Sequence, residues 1–323
     1  MMKKAWISLM CLFACILTVF AGTSLYAYGR RELAGVKVDP VKFGATYMTL
    51  NNPFFEVIDH EMRNVIEANG DVMITMDPQL SLERQIDQIH YMINQGCEVL
   101  IVNPVDSKGL EAVLKEAKRK GIYIIAVDTN VYNGNDFVDY TVVSDNYKAG
   151  VLCAQDMMKH KEEADILVLQ HVAAYSAVER IQGFLDTIEG HPQYHVVDTI
   201  ECEGQLEKSM PLVAQRLKEG MRFDVVMSLN DPSALGAVAA LQEVDALDGV
   251  LVYGVDGTPE AKVLVNDGFM MGTVAQYPKS MAKKAVDCAY RLLDHETKFS
   301  EEKIDVRMIT RDNIDEYSLE GWQ

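Results

Sequence analysis

The sequence predicts an α/β chain of two lobes, each a doubly wound parallel sheet, with a cleft between them. Three observations carry this. Short β-rich apolar runs alternate with amphipathic helical stretches over most of the chain, as expected of strands covered on both faces. Five of these runs end at a side chain able to hydrogen-bond a small polar ligand: 99–102 at Asn103, 122–127 at Asp128, 225–229 at Asn230, 250–255 at Asp256 and 274–275 at Gln276. A length of 323 residues exceeds one ordinary core and suits two domains. Ligands of open α/β sheets lie outside the carboxyl ends of the strands, so these polar residues are expected to share one cleft.

The chain opens on Met1-Met2-Lys3-Lys4, followed by an apolar stretch to about Tyr28. That pattern predicts export through a signal peptide, with Leu25-Tyr26-Ala27 as a cleavage site, or an uncleaved anchor over 1–28. Acylation at Cys15 is a third fate, although Phe13 suits it poorly. Residues 29–40 lack periodicity and read as a linker, with the folded part beginning near Val41.

Strands are expected near 42–47, 72–76, 98–103, 122–127 and 139–143, then 165–169, 195–200, 223–229, 249–255, 271–276 and 304–309. Helices fill the gaps. After Asn52-Pro53, Val57, Ile58, Met62, Val65 and Ile66 share a face until Gly70; Leu82, Ile86, Ile89 and Ile93 repeat the pattern before Gly96. With no Pro-rich or low-complexity linker, ordered crossings should join the lobes and act as a hinge.

Lys and Arg total 30 against 48 Asp and Glu, a formal charge of −18 that repels a nucleic-acid backbone. Cys97, Cys153, Cys202 and Cys288 lie far apart, without zinc or redox spacing, and read as buried thiols. His191 and His195 are four apart, but Pro192 breaks a shared helical face, and no metal or cofactor is expected. The 17 methionines read as core filler.

Each candidate for binding has a plainer reading beside it. Asn52 suits a helix cap as well as a ligand contact, and capping does not prevent contact. Phe54 and Phe55 are adjacent on one helix, so one should leave the core stripe and offer a ring to the C–H face of a sugar. Asp128 and Asp256 could each cap a turn, yet two carboxylates in equivalent places also suit sugar hydroxyls. Arg180 supplies a fork of donors, or is a solvated helix residue, or forms a salt bridge to nearby Glu179. Paired carboxylates also serve glycosidases, but the remaining Asn and Gln orient hydroxyls without transferring protons, and no catalytic residue is assigned.

The strings Thr49-Leu50-Asn51-Asn52-Pro53-Phe54-Phe55, Asn103-Pro104-Val105-Asp106-Ser107, Ser144-Asp145-Asn146 and Glu179-Arg180-Ile181-Gln182-Gly183-Phe184 resemble the type I periplasmic sugar-binding proteins of the ribose-binding kind. The likeness continues through Asn230-Asp231-Pro232-Ser233, Asp256-Gly257-Thr258-Pro259 and Ala275-Gln276-Tyr277-Pro278, covering 41 to about 310. It implies a non-catalytic, monomeric protein whose lobes, 41–144 plus 277–305 and 145–276 plus 306–323, close by a three-crossing hinge on a pentose, hexose or related polyol. It further implies delivery to an ABC importer or, alternatively, signalling to a membrane sensor. Ligand contacts carry over to Asn52, Phe55, Asn103, Asp128, Arg180, Asn230, Asp256 and Gln276, with Phe54 at the same mouth. Thr129 stands where ribose binders have an Arg, and Cys202-Glu203-Gly204-Gln205 lacks a stacking ring, so the particular sugar stays open. The fold is shared with lactose-repressor-type regulators, but an export segment rather than a helix-turn-helix precedes Val41.

Overall fold

Two six-stranded sheets organise residues 39–296 and 300–323, the part of the chain described by the computed structural model. The expected export segment 1–28 and most of the expected 29–40 linker lie outside the described residues. The first sheet holds β1 (Lys42–Thr46), β2 (Val72–Met76), β3 (Val99–Val102), β4 (Tyr123–Val127), β5 (Tyr140–Ser144) and β11 (Ser300–Ile304), in the order β11-β5-β4-β3-β1-β2. The second holds β6 (Ala164–Gln170), β7 (Tyr194–Glu201), β8 (Val225–Ser228), β9 (Leu251–Asp256), β10 (Gly272–Ala275) and β12 (Arg307–Thr310), in the order β12-β10-β9-β8-β6-β7. All pairs are parallel except β10 with β12. The strand order reverses between β1 and β3 and between β6 and β8, which sets a crevice at the carboxyl ends of both sheets.

Helices α1 (Pro53–Ala68), α2 (Leu82–Asn94), α3 (Glu111–Arg119) and α9 (Pro278–Leu293) belong with the first sheet. Around the second lie α4 (Asn146–His160), α5 (Tyr175–Ile188), α6 (Leu206–Lys218), α7 (Asp231–Glu243) and α8 (Pro259–Asp267). Central strands are apolar throughout because both faces are covered. In β3, Val99 and Ile101 face the α1/α9 core while Leu100 and Val102 face the α2/α3 core. The α1 stripe differs from expectation. Phe54, Phe55, Ile58, Met62 and Ile66 are buried, whereas Val65 is exposed and Val57 half-buried, each turned about 100° from the stripe residue next to it.

Three segments cross between the sheets: β5 to α4, β10 to α9, and β11 to β12. The strand expected at 304–309 is two strands, one in each sheet, parted at Asp305 and Val306. Nothing in its apolar pattern marks the split, which arises because the backbone changes pairing partner from β5 to β10. Asp305 pairs with Lys148 at 2.6 Å beside the first crossing. The lobes also meet at the far rim: Ser107 N donates to Ala173 O at 3.0 Å, Tyr175 N to Ser107 Oγ at 3.1 Å, and the Tyr132 and Tyr175 rings stack at 6.4 Å. The tail 318–323 runs back over the hinge, held where the buried Lys262 donates to the carbonyls of Ser318 and Gly321.

Candidate ligand-binding site

The turn after β1 supplies the first wall. Asn52 caps α1, its Oδ1 accepting Phe54 N at 3.0 Å, and Pro53 fits the first turn. Phe54 and Phe55 meet edge to face at 5.5 Å, and both line the cavity. The expectation that one ring leaves the core is corrected: each is 2 % exposed, because Trp322 backs Phe54 at 5.7 Å and Tyr47 backs Phe55 at 5.9 Å. Ring surface is thereby fixed in place by other rings.

The charged centre comes from both lobes. Asp128 follows β4 and Asp256 ends β9, and both take positive φ, 66° and 140°. Backbone there is strained for any residue but glycine, a state found where function holds a side chain in position. Arg180 stands between them, Nη2 at 3.9 Å from Asp128 Oδ1 and Nη1 at 3.7 Å from Asp256 Oδ1. These are ion pairs too long to be hydrogen bonds. The guanidinium is buried and held within its own lobe, Nε donating to Asn146 Oδ1 and Nη1 also to Leu229 O, each at 2.9 Å. Burial rules out its solvated reading.

Burial pushes the Asp128 carboxyl up against the opposing pull of Arg180, and raises Asp256 well above the carboxylate range, with Asp231 adding repulsion. Asp231, at the start of α7, is raised to about 6 by burial although Thr273 and Thr258 donate to it. Two cavity carboxylates therefore share one guanidinium, and Asp256 Oδ2 has no donor.

Asn230 and Gln276 also line the cavity. Asn230 caps α7 and donates to Gly204 O at 3.0 Å; Gln276 donates to Asp256 Oδ1 at 2.7 Å. Asn103 lies one layer behind. Its Oδ1 accepts Met48 N, and its Nδ2 donates to Val127 O and to Asp128 Oδ2, leaving it to orient that carboxylate. Thr129 bonds Asp128 Oδ2 at 3.0 Å and reaches across the cleft to Ser176 Oγ at 2.7 Å. The structure thus gathers eight of the nine predicted side chains on the cavity and sets the ninth in contact with one of them.

Sequence reasoning missed Thr49, His171, Glu203 and Gln205, which also line the cavity. His171 follows Gln170, the polar residue that ends β6, so the strand-end rule stops one position short of it. The cavity between these walls is small, about 40 Å³. Aromatic rings on one side and carboxylates, amides and a guanidinium on the other suit a small polyhydroxyl ring.

The sequence profile of the periplasmic binding protein domain family matches residues 43–297. The chain belongs to this periplasmic binding protein family. Within it the chain is ribose-binding-like. It is 28 % identical over 265 residues to the ribose import binding protein of Escherichia coli (strain K12), covering 81 % of this chain and 88 % of that one. A ribose import binding protein of Bacillus subtilis (strain 168) is 29 % identical over 252 residues, 77 % of this chain and 81 % of its own. Among solved structures, an ABC transporter solute binding protein of Bacillus halodurans C-125 with bound myo-inositol superposes with a TM-score of 0.80 at 26 % identity, covering 87 % of this chain and 99 % of that one. The Caulobacter myo-inositol binding protein bound to myo-inositol gives 0.82 at 25 %, over 88 % and 97 %.

Proposed function

We propose that this chain is an exported, non-catalytic solute-binding protein that captures a monosaccharide or related polyol by hinge closure and delivers it, as a monomer, to an ABC sugar importer. The observation that carries this reading is the convergence of strand-end side chains from both sheets on one cavity, with Arg180 between Asp128 and Asp256. Contacts from both lobes are complete only when the lobes meet, so a ligand that makes them shifts the population toward closure. Asn52, Phe54, Phe55, Asp128, Arg180, Asn230, Asp256 and Gln276 are the proposed ligand contacts, and Asn103 steadies Asp128. The names of the relatives, which bind ribose or myo-inositol, support the same ligand class.

A thermal-shift panel of pentoses, hexoses, deoxy sugars and inositols tests this. At least one should raise the melting temperature in a concentration-dependent way, because a ligand of the folded state stabilises it by mass action. No shift with any of them at millimolar concentration removes the reading.

A further inference from the structure

His171 lies outside the residues that the family resemblance brings to the cleft, yet it lines the cavity and is only 9 % exposed. Its Nδ1 lies 3.0 Å from Glu201 Oε1. Glu201 is itself fixed, since Oε2 accepts Val172 N at 3.0 Å and Oε1 accepts Glu203 N at 3.3 Å. An ionised carboxylate only accepts, so a proton sits on Nδ1, and in its neutral form the ring presents a lone pair at Nε2. That atom is buried with no protein partner. Two more cavity-lining residues share this condition, Asp256 at Oδ2 and Gln276 at Oε1. With Asp256 ionised and His171 neutral, all three unpaired atoms are acceptors, and buried acceptors without donors are costly.

We propose that His171 reads one hydroxyl of the ligand from the second lobe, that Glu201 is its positioning residue, and that the ligand is a neutral polyol offering at least three donors. The proposal rests on the sugar-cleft reading and narrows it. A carboxylate or phosphate on the ligand would face the same three acceptors and be repelled. The hydroxyl taken by His171 is distinct from those taken by Asp256 and Gln276, because His171 follows β6 whereas those two sit at the ends of β9 and β10.

Isothermal titration of the unmodified protein and of His171→Ala, His171→Gln and Glu201→Gln, with the ligand found by the panel and its monodeoxy analogues, tests the assignment. His171→Ala should weaken binding by about ten- to a hundredfold, the cost of leaving a ligand hydroxyl unpaired in a buried site. One monodeoxy analogue should bind the unmodified and His171→Ala proteins equally, while the others keep the loss. His171→Gln, whose amide oxygen also accepts, should recover part of the affinity, and Glu201→Gln should show a smaller loss centred on the same analogue. Unchanged affinity in His171→Ala, or a loss equal across all analogues, overturns the role. Tighter binding of a sugar acid or sugar phosphate than of the neutral sugar overturns the ligand class while leaving a sugar cleft in place. If the unmodified chain binds nothing in the panel, the sugar reading fails and the role of His171 falls with it.

Discussion

Asp256 has the most at stake among single residues, being buried beside a second carboxylate and holding a strained φ of 140°. Asp256→Ala should abolish measurable binding, a loss of at least about a hundredfold given the strength of charge-assisted hydrogen bonds, while leaving the melting temperature of the ligand-free protein unchanged or higher. Calorimetry and thermal melts on one preparation check both halves, and retained affinity would take Asp256 out of the site. Asn103→Ala should act on binding chiefly through Asp128, weakening it less than Asp128→Ala does and adding little further loss when the two are combined. These residues were legible because an apolar run ending in a hydrogen-bonding side chain is a local pattern. His171 was not, since a lone histidine has no period, and its meaning comes from Glu201, thirty positions away in sequence. Phe54 and Phe55 were legible as candidates but not as a pair, because Trp322, which backs Phe54, is distant in the chain.

At the scale of elements, α4 and α5 approach so closely that a Cβ added at Gly150 would lie 1.8 Å from Arg180 O, and one at Gly183 would lie 2.0 Å from Tyr147 O. This contact sets the backbone that carries Arg180. Gly150→Ala should destabilise the protein by roughly 1–3 kcal/mol or more, the cost of forcing atoms into a packed interface, and urea unfolding measures it. At the opposite rim, Tyr132 of the first lobe stacks on Tyr175 of the second with planes 14° apart. Tyr175→Ala should raise the ligand dissociation rate roughly two- to tenfold, the worth of one aromatic pair, with little change in association. Stopped-flow fluorescence separates the two rates, and an unchanged dissociation rate would show that the rim does not hold the lobes together. Helix and strand identities were readable from periodicity and capping, as at Asn52-Pro53. The division between β11 and β12 was not, because a strand that changes sheets keeps one continuous extended pattern in sequence.

Across the whole molecule, buried carboxyls give the ligand-free protein a distinctive pH response. Asp231 is raised to about 6, and Asp128 and Asp256 are raised as well, by burial foremost. Between about pH 4, where such groups titrate when unfolded, and about pH 6, the native state holds more protons than the unfolded one, so stability falls as pH rises through that window. Carboxylates lowered by surface ion pairs, such as Asp198 and Asp305, act in the opposite sense only below the ordinary carboxylate range. The ligand-free protein should therefore melt higher at pH 5 than at pH 7, and saturating ligand should shrink the difference by donating to those carboxylates. Melts at constant ionic strength decide it; a ligand-free melting temperature that climbs from pH 5 to pH 7 would contradict the account. The four cysteines among the described residues bear on how closure is best watched. All are buried, and burial pushes their thiols up, Cys97 to about 11 and Cys288 to about 12, so thiol-reactive dyes should pass them by. Among the described residues, a cysteine introduced at Tyr132 on the rim would then be the one exposed thiol, placed to carry an environment-sensitive fluorophore that turns closure into an optical signal.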